Sequence, residues 1–586
     1  MLESWRPERI KNCTRSELNV LCDELRSVIY ETVTECGGHL ASNLGAVEPT
    51  VALFYVFDFP KDKIIFDVGH QCYAYKLLSG RGDRFSTLRK EGGLSGFPKR
   101  KESEYDSYDT GHAGTSVSAA LGIAKARDLK KEDYDVIAFI GDGSFNNGLV
   151  YEALNSLRIL DTNILIILND NGMSISPTVG GMHDILTQLK LGGETENIRL
   201  LERFGLTYLG VRNGNDAEEM IDSLTEAKAL LKTQSVLLHI VTKKGKGYEF
   251  CEEHPTNTHG IAPIGSRKEK EYSEILGDTL CELARKDERI TAVTAAMTGS
   301  LGLDKFFALY PERAFDVGIC EENASVLCAA MASAGVKPYY AIYSTFLQRA
   351  FDEIIHDVCA QDLPVTFCVD RAGISGSDGE THQGVFDLSY LSMIPGLTVA
   401  VPKDTEEFKA FLKFSASYAH PLAIRYPRSG KIVFPASEEP IRAGKWEYIH
   451  KSEKKSSVTV LAENGSWYAV SYNGTAGYVA QQYVTMGDSL PADTGSADNT
   501  DDSTGSASTV PSGTYGSSAV SIAYQYMGVP YVYGGASPSG FDCSGFTMYV
   551  YAQLGVSLPH GATPQLNYGT YVSRSELQPG DLVFFS

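Results

Sequence analysis

The stretch YDVIAFIGDGS, residues 134–144, places an apolar run directly before a Gly-Asp-Gly turn. A second apolar run, NILIILN (163–169), leads into Asn-Asp-Asn at 169–171. Two such runs, separated by the helical pattern GLVYEALNSLRIL, predict parallel strands joined by a helix. Open α/β sheets bind ligands at the carboxyl ends of their strands. We therefore expect Asp142 and Asn171 to lie at the same edge of a parallel sheet.

The residue types at these two strand ends suit a divalent cation held next to a phosphate. Carboxylate, amide and backbone carbonyl oxygens suit Mg²⁺, which usually takes substrate phosphate oxygens as further ligands. The glycines beside Asp142 let the backbone approach a phosphate closely. A strand-end turn with an Asn or Asp cap is the alternative for GDG alone. The pair, each half after its own strand, favours the metal site.

The same alternation continues along the first 455 residues. The apolar runs ITAVTAA, KPYYAIYS, LPVTFCVD and LTVAVP follow, with helical patterns between them. This alternation gives parallel sheets covered by helices on both faces. We predict an α/β fold with two such domains, residues 1–270 and 271–455.

Composition and charge exclude several classes of protein. The chain has 586 residues and a formal net charge of -21 without a basic arm, which argues against a nucleic-acid binder. Its apolar runs are too short to span a membrane, and its charged start is unlike a signal peptide, so we expect a cytoplasmic protein. Ten of the eleven cysteines precede residue 370 without CxxC or Cys/His clustering, which favours reduced thiols.

The composition changes abruptly after Lys455. Of 52 lysines and arginines, only Arg574 lies beyond that residue, and Gly, Ser, Thr and Tyr become frequent. Short alternating runs with NG turns in 456–486 predict part of a small β-barrel. Residues 487–518 have almost no large apolar side chains and predict a disordered linker. A compact α+β piece, 519–586, follows.

The paired GDG and NDN turns resemble those of the thiamine-diphosphate enzymes. Further motifs narrow the resemblance to the 1-deoxy-D-xylulose-5-phosphate synthase family, over about residues 1–455. These motifs are GGHLASNLGAVE (37–48), DVGHQCYAYKLLSGR (67–81), GLSGFPKR (93–100), TGHAGTSVSAALG (110–122), LNDNGMSISPTVG (168–180), TKKGKGY (242–248), FDVGICEENA (315–324), AIYSTFLQRAFDEIIHDV (341–358), DRAGISGSDGETHQGVFDLSYL (370–391) and RYPRSG (425–430).

This resemblance implies which residues bind the cofactor. Asp142, Asn171 and the carbonyl of Met173 would hold Mg²⁺ against the thiamine diphosphate. Glu321 would contact the aminopyrimidine ring and promote its imino tautomer, whereas a surface glutamate at a helix start is the alternative. The other residues implied to bind the cofactor are His70, Gly111, His112, Ala113, Gly143, Ser144 and Tyr248.

Several histidines occupy glycine-rich or turn positions. One such histidine is more often structural, but four in the motif positions of one family favour proton transfer and substrate orientation near neutral pH. His39 and His382 would be catalytic, and His70 and His112 would lie at the cofactor. His259, in THG, is a weaker candidate. The histidines expected to be structural or at the surface are His254, His356, His420 and His450.

The implied substrates are pyruvate and glyceraldehyde 3-phosphate. Pyruvate would lose CO₂ and its remaining carbons would join the aldehyde, giving 1-deoxy-D-xylulose 5-phosphate for isoprenoid, thiamine and pyridoxal synthesis. Arginine suits phosphate because its planar fork matches the oxygens, although ordinary salt bridges are the alternative. The implied substrate ligands are Tyr343, Arg349, Arg371 and Arg428, with Asp378 at the substrate hydroxyls.

The chain departs from the family pattern in three places. Glu322 and Asn323 follow Glu321 where Gln-His is usual, and Ser-Phe-Asn-Asn follows GDG. Asn323 in place of histidine would alter proton handling. The third α/β domain of the family is expected to be missing, because the pattern stops near GKWEYIHKSEKKSSVTVLA. That domain normally adds to the homodimer interface of the family, so the oligomeric state is left open.

The tail resembles two bacterial modules. SSVTVLAENGSWYAVSYNGTAGYVAQQYV is similar to half of an SH3 domain. AYQYMGVPYVYGG, FDCSGF, LPHGATPQ and LQPGDLVFF are similar to the start of a papain-like NlpC/P60 peptidase, which cuts cell-wall peptides. Cys543 would be the nucleophile, at a helix N-terminus that favours a thiolate, and Tyr533 would help build the oxyanion site. The histidine base of that family follows the GDLVFF strand and is expected to be missing, since His560 matches a non-catalytic loop.

Three functions are therefore open. A thiamine-diphosphate-dependent synthase leads. A peptidase or binding module acting on peptidoglycan peptides is second. An inactive chimera of a cytosolic synthase and an extracellular peptidase is third.

Overall fold

The structure is a computed structural model of the chain. It describes residues 7–174, 177–192, 195–264, 271–375, 379–430, 441–442, 459–464, 467–472, 475–480, 514–526, 529, 534–565 and 581–582. Contacts divide the chain into two units, Met1–Glu453 and Lys454–Ser586.

The first unit begins with a five-stranded parallel sheet in the order β1-β2-β3-β5-β4. Gly141 pairs with Asn169 in register, so the GDG and NDN turns leave the same edge of the sheet. The predicted parallel sheet is thereby confirmed. The strands are β1 (Lys63–Phe66), β2 (Val136–Gly141), β3 (Leu165–Asp170), β4 (Leu206–Asn213) and β5 (Ser235–Val241).

Helices cover both faces of this sheet, because alternate residues of each strand enter different cores. Ile137 and Phe139 of β2 pack in one core, whereas Val136, Ala138 and Ile140 pack in the other. The helices are α1 (Pro7–Ile10), α2 (Arg15–Cys36), α3 (Ala41–Gly45), α4 (Val47–Val56), α5 (Tyr73–Lys76), α6 (Ser116–Lys130), α7 (Asp142–Phe145), α8 (Gly148–Leu160), α9 (Gly181–Lys190), α10 (Thr195–Glu202), α11 (Ala217–Leu230) and α12 (Glu249–Glu253).

The helix between the two motif strands, α8, shows why the pattern was readable. Its buried residues Val150, Ala153, Leu154 and Leu157 recur at helical spacing and form one apolar stripe. Asn147 caps the helix, because its Oδ1 accepts a hydrogen bond from the Leu149 N–H at 3.1 Å. The helix therefore packs against the sheet and returns the chain to the parallel strand β3.

A second sheet follows in the same unit, with six parallel strands in the order β10-β11-β9-β8-β6-β7. Its strands are β6 (Ile290–Thr294), β7 (Ala314–Asp316), β8 (Lys337–Tyr343), β9 (Thr366–Asp370), β10 (Thr398–Ala400) and β11 (Leu422–Arg425). Its helices are α13 (Tyr272–Ala284), α14 (Asp304–Leu309), α15 (Glu321–Ser333), α16 (Ser344–Leu347), α17 (Phe351–Glu353), α18 (Asp387–Ser392) and α19 (Thr405–Ser415). Short 3₁₀ or π turns are Leu77–Arg81, Gly82–Thr87, Pro311–Arg313, Gln348–Ala350, Ile354–Cys359 and Glu380–His382.

The second unit contains two separate groups of elements. In the described part of 456–486, three antiparallel strands pair in the order β12-β13-β14, and the partial β-barrel stays a prediction. The remaining elements form the predicted α+β piece, and its first helix begins inside the predicted linker. The elements are β12 (Thr459–Asn464), β13 (Trp467–Tyr472), β14 (Thr475–Ala480), α20 (Thr514–Tyr524), β15 (Ala536–Ser537), β16 (Gly540–Phe541), α21 (Cys543–Ala552) and α22 (Ala562–Gln565).

Two general expectations concern the whole chain. All eleven cysteines lie among the described residues, and each is a free thiol. Among the helices that the structure describes, none combines the length and the apolar character needed to cross a bilayer. The domain boundaries at residues 270, 455, 486 and 518 stay predictions.

Candidate active site

The GDG and NDN turns meet at the carboxyl edge of the first sheet. Asp142, 1% exposed, accepts hydrogen bonds from the Asn171 N–H at 3.3 Å and the Thr178 hydroxyl at 2.6 Å. Burial, with the nearby Asp170 charge, raises the pKa of Asp142 to about 6. A buried carboxylate of this kind is stabilised when a cation binds it.

The turn after β3 is closely packed against the GDG turn. The side-chain oxygen of Asn171 accepts a hydrogen bond from the Met173 N–H at 3.1 Å. A Cβ on Gly143 would stand only 2.7 Å from the Ser174 Cβ, so this position needs glycine. Asp142, Asn171 and Met173 are therefore adjacent in the structure, as the sequence predicts. Ser144 is buried in the same turn.

Behind this turn lies a buried network of hydrogen bonds that sequence reasoning missed. Asp170 accepts hydrogen bonds from the Gly172 N–H at 3.0 Å, from Lys190 Nζ at 2.9 Å and from His239 Nε2 at 3.1 Å. The other nitrogen of His239, Nδ1, lies 2.9 Å from the Tyr208 hydroxyl and accepts from it. Burial opposes the charge on Asp170, but these donors outweigh it and lower its pKa. These hydrogen bonds thus fix Asp170, the residue directly before the predicted metal ligand Asn171.

Lys244 is a second residue that was missed. It is 6% exposed, and its ammonium donates to the Ser174 carbonyl at 2.5 Å. Burial lowers its pKa to about 8, and the charge of Asp142 opposes this shift. Its own charge lowers the pKa of His70 and of His259. A cation therefore acts electrostatically on both the acidic turn and the histidines. The available signal was its position just after β5, at the same sheet edge.

Three histidines from separate segments form a compact histidine cluster, which we define as His39, His70 and His259. Their ring centroids are 5.6 Å apart for His39 and His70, 5.4 Å for His39 and His259, and 5.5 Å for His70 and His259. Nδ1 of His39 and Nδ1 of His70 are buried without a hydrogen-bond partner. The weaker candidate, His259, thus lies with the stronger ones. Two unsatisfied ring nitrogens are what a ligand-binding pocket would leave.

The second domain adds His382 to this region. The ring centroid of Phe97 lies 5.7 Å from that of His39. Phe97 also stacks on His382, with ring centroids 5.3 Å apart and an interplanar angle of 11°. His112 donates from Nε2 to the Thr381 carbonyl at 2.9 Å, and its ring is 5.7 Å from His382. A Cβ on Gly111 would approach the Thr381 side chain to 2.6 Å. The site therefore lies where the two sheets' loops meet within one chain.

The environment keeps these histidines neutral. Burial lowers the pKa of His70 and of His382 to about 3. Burial also lowers the pKa of His112, and it lowers those of His39 and His259 well below the ordinary value. A neutral imidazole can donate at one nitrogen and accept at the other. The cluster is therefore suited to guiding protons between substrate oxygens.

Glu321 begins α15 and is 2% exposed. Burial raises its pKa, and Arg349 opposes that shift. Arg349 donates from Nη1 to the Glu321 carboxylate at 3.2 Å and from Nη2 to the Ala113 carbonyl. Arg349 thus ties the predicted catalytic carboxylate to the predicted cofactor-binding segment. This contact differs from the phosphate role predicted for it.

The predicted phosphate ligands form a second group, which we call the arginine group: Tyr343, Arg371 and Arg428. The Arg371 guanidinium lies over the Tyr343 ring at 4.4 Å. Glu271 joins the two arginines, since it accepts from Arg428 Nε at 3.1 Å and lies 3.7 Å from Arg371 Nη2. Asp378, predicted for the substrate hydroxyls, lies outside the described residues.

Other predicted residues have different surroundings. Tyr248 stacks on Tyr30 of α2 with ring centroids 3.8 Å apart, and its role at the cofactor stays a prediction. His254 and His356 are exposed, and His420 binds the exposed Asp362 at 2.8 Å, as surface histidines would. His450 lies outside the described residues.

The predicted nucleophile of the tail is exposed to solvent. Cys543 is exposed at the start of α21. Asp542 caps that helix by accepting from the Gly545 N–H at 2.6 Å, and it also accepts from His560 Nε2 at 3.0 Å. These donors lower the pKa of Asp542. His560 thus binds the capping carboxylate, and Tyr533 lies outside the described residues.

Comparison with known proteins agrees with this geometry. The second domain matches the transketolase pyrimidine-binding domain over residues 268–430, which places the chain among the transketolase-like enzymes. Residues 3–200 match the 1-deoxy-D-xylulose-5-phosphate synthase family. The synthase of Clostridium botulinum is 45% identical over 76% of this chain and 79% of its own length, and that of Alkaliphilus oremlandii is 45% identical over 78% and 80%. The chain belongs to the 1-deoxy-D-xylulose-5-phosphate synthase family.

Three further matches concern the tail and the solved structures. Residues 528–586 match the NlpC/P60 family. A transketolase from Campylobacter jejuni is 20% identical, with a TM-score of 0.37 over 72% of this chain and 80% of its own. A transketolase from Leishmania mexicana is 18% identical, with a TM-score of 0.35 over 72% and 76%.

Proposed function

We propose that this chain condenses pyruvate with glyceraldehyde 3-phosphate, releasing CO₂ and forming 1-deoxy-D-xylulose 5-phosphate, with thiamine diphosphate and Mg²⁺. The observation that carries the proposal is the 45% identity to synthases of this name over most of both chains. The cross-domain site supports it, because ring contacts connect His39 of the first domain, through Phe97, to His382 of the second.

The residues at the sheet edge fit a metal-bound diphosphate. We propose that Asp142, the amide oxygen of Asn171 and the carbonyl of Met173 hold Mg²⁺. The buried Asp142 carboxylate needs a cation, and the close approach at Gly143 leaves backbone rather than side chain facing the turn. Lys244 would add positive charge for the diphosphate oxygens.

The bound cofactor would supply the electron sink for the loss of CO₂ from pyruvate. Glu321 would hold a proton at the aminopyrimidine ring, and Arg349 would orient the Glu321 carboxylate through their 3.2 Å hydrogen bond. His39 and His382 would pass protons to and from the substrate oxygens. His70 and His112, with Gly111 and Ala113, would line the cofactor.

The arginine group would bind the phosphate of the acceptor. Tyr343 stacks on Phe346 with ring centroids 5.9 Å apart, and the Phe346 and His382 ring centroids are 5.4 Å apart. The contacts therefore run from the arginines to the histidines, as an extended phosphorylated substrate would require. Members of the family are oligomeric, and we propose a homodimer for this chain.

The decisive experiment measures CO₂ release from pyruvate that depends on glyceraldehyde 3-phosphate, Mg²⁺ and thiamine diphosphate. Asp142→Ala should lower it by about a hundredfold or more, because the metal loses its carboxylate. Asp133→Ala is the matched control, since that side chain is fully exposed and its carboxylate lies 3.6 Å from the Lys61 ammonium at the surface. Unchanged release in Asp142→Ala would refute the metal site, and no release from the wild type would refute the function.

The NlpC/P60 match favours a second candidate function for the tail. We propose that Cys543 acts on cell-wall peptides only where a base other than His560 is supplied, because His560 donates to Asp542. Muropeptide cleavage by the wild-type chain that is lost in Cys543→Ala would support peptidase activity. Cleavage that persists in Cys543→Ala would exclude this thiol.

A further inference from the structure

Glu271 occupies an unusual position beside the arginine group. It is the N-cap residue of α13, yet its side chain makes no capping hydrogen bond to that helix. Ser, Thr, Asp and Asn are the common N-cap residues because their side chains reach the free N–H groups. The Glu271 carboxylate instead reaches Arg428 Nε at 3.1 Å and lies 3.7 Å from Arg371 Nη2. The Ser273 hydroxyl is a third neighbour at 3.5 Å.

The backbone holds Glu271 in this place. Glu271 forms an isolated antiparallel bridge with Ser429, and the Tyr272 N–H donates to the Arg428 carbonyl at 3.1 Å. The start of α13 is therefore fixed to the segment that follows β11. A carboxylate at position 271 faces the arginine group whenever this pairing is formed.

Charge balance gives this contact a functional consequence. Arg371 also pairs with Asp370, whose Oδ1 lies 2.9 Å from Nη1. Among the residues that the structure describes, these two guanidinium charges are thus matched by two carboxylates, Asp370 and Glu271. Asp370 is fully buried on β9, whereas the Glu271 side chain is 23% exposed. An incoming phosphate can therefore replace Glu271 far more easily than Asp370.

We propose that Glu271 competes with the phosphate of the acceptor aldehyde for Arg371 and Arg428, and so sets the affinity and selectivity for phosphorylated acceptors. The inference rests on the proposed function for the identity of the acceptor. In the free enzyme the carboxylate neutralises the arginines. When a phosphorylated aldehyde binds, the phosphate oxygens take its place and Glu271 turns to solvent. Two anions that compete for one cationic site weaken each other reciprocally.

The test compares Glu271→Gln with the matched control Glu274→Gln. Both substitutions remove one negative charge near the start of α13, but Glu274 is exposed on the helix surface. In Glu271→Gln we expect the KM for glyceraldehyde 3-phosphate to fall about fivefold or more. The KM for pyruvate and the rate with unphosphorylated glyceraldehyde should keep their wild-type values. Glu274→Gln should leave all three unchanged.

A binding measurement separates this inference from the proposed function. Stabilisation by inorganic phosphate, followed as thermal midpoint against phosphate concentration, needs no turnover. Glu271→Gln should bind phosphate about fivefold more tightly, and Arg428→Gln should bind it more weakly. If the wild type makes no product but these shifts appear, the proposed function fails, whereas the competition between Glu271 and phosphate for the two arginines stands.

A purely structural role for Glu271 predicts other results. Glu271→Gln would then lower the thermal midpoint without phosphate and leave phosphate affinity and the KM for the aldehyde unchanged. Either an unchanged phosphate affinity or an increased KM in Glu271→Gln overturns the proposal.

Discussion

Glu321 and Cys543 each begin a helix, and the structure surrounds them very differently. Glu321 is 2% exposed, and its carboxylate pairs with Arg349, which also reaches Ala113 of the first domain. Cys543 is exposed, and the polar contacts beside it, Asp542 with His560, come from only 18 residues of chain. The first position of a helix is therefore not enough to define a functional residue, and the groups packed around it decide its role. For Glu321, that enclosure raises the pKa of the carboxyl group.

The largest contrast should appear when each of the two residues is replaced. Glu321→Gln keeps the shape of the side chain but removes its charge, so CO₂ release should fall by about 10²- to 10⁴-fold. Cys543→Ala should leave that release unchanged. Both variants are assayed with saturating cofactor, with thermal midpoints as the folding control. A Glu321→Gln enzyme that works at the wild-type rate would remove the distinction between the two positions.

A smaller effect is expected from a substitution in the buried hydrogen-bond network of Tyr208, His239 and Asp170 behind the Asn171 turn. His239→Phe removes the donor to Asp170, which then fixes the Asn171 turn less firmly. The affinity for Mg²⁺ should fall about 10- to 100-fold, as for other residues that orient metal ligands. Calorimetric titration of Mg²⁺ with thiamine diphosphate present measures it, and excess Mg²⁺ should restore activity. His254→Phe, at an exposed position, is the control, and equal Mg²⁺ affinity in the two variants would contradict the prediction.

The buried histidines should also make the stability of the first unit depend on pH. The pKa of His70 and of His382 is about 3 in the folded chain, against about 6.5 unfolded. The unfolded chain binds more protons, so the stabilisation is complete above pH 6.5 and is lost as the pH falls toward 3. The loss is about 1 kcal/mol per pH unit for each histidine.

Denaturant unfolding at pH 7.5, 6.5 and 5.5 measures this slope. His382→Asn should flatten it, whereas His356→Asn, whose side chain is 77% exposed, should keep it. An equal slope in both variants would show that the buried rings do not titrate as described.

The smallest expected effect belongs to the tail. Asp542→Ala removes the cap of α21 and the partner of His560, so amides in the first turn of that helix should exchange about fivefold faster. Hydrogen-exchange mass spectrometry measures this locally. CO₂ release should be unchanged, and unchanged exchange at α21 would show that the cap contributes nothing.

Much of the fold was readable because fully buried parallel strands are continuous apolar runs. The runs YDVIAFI and NILIILN predicted β2 and β3, and the turns after them predicted the edge of the sheet where the site lies. The predicted histidines also gathered, since each lay in a turn at the end of an element. The placement of Asp142 and Asn171 at one sheet edge followed from the position of each residue just after its own apolar run.

The rest depended on partners that are remote in sequence. Lys244 stands in TKKGKGY among other lysines, and only its burial distinguishes it. His239 looks like one polar residue in an apolar strand until Asp170 is seen 3.1 Å away. Arg349 and Glu271 each bind a group that no local pattern reveals. Such contacts arise from tertiary packing, so a local pattern cannot show them.

The stacking of Phe97 on His382 has a consequence for how the protein is made. The first sheet and His39, His70 and His259 are complete in the first 264 residues, and domains generally fold from the N-terminus as the ribosome releases them. His382 emerges more than a hundred residues later. The nascent chain therefore carries half a pocket in that interval, and the face of Phe97 that His382 later covers is still open.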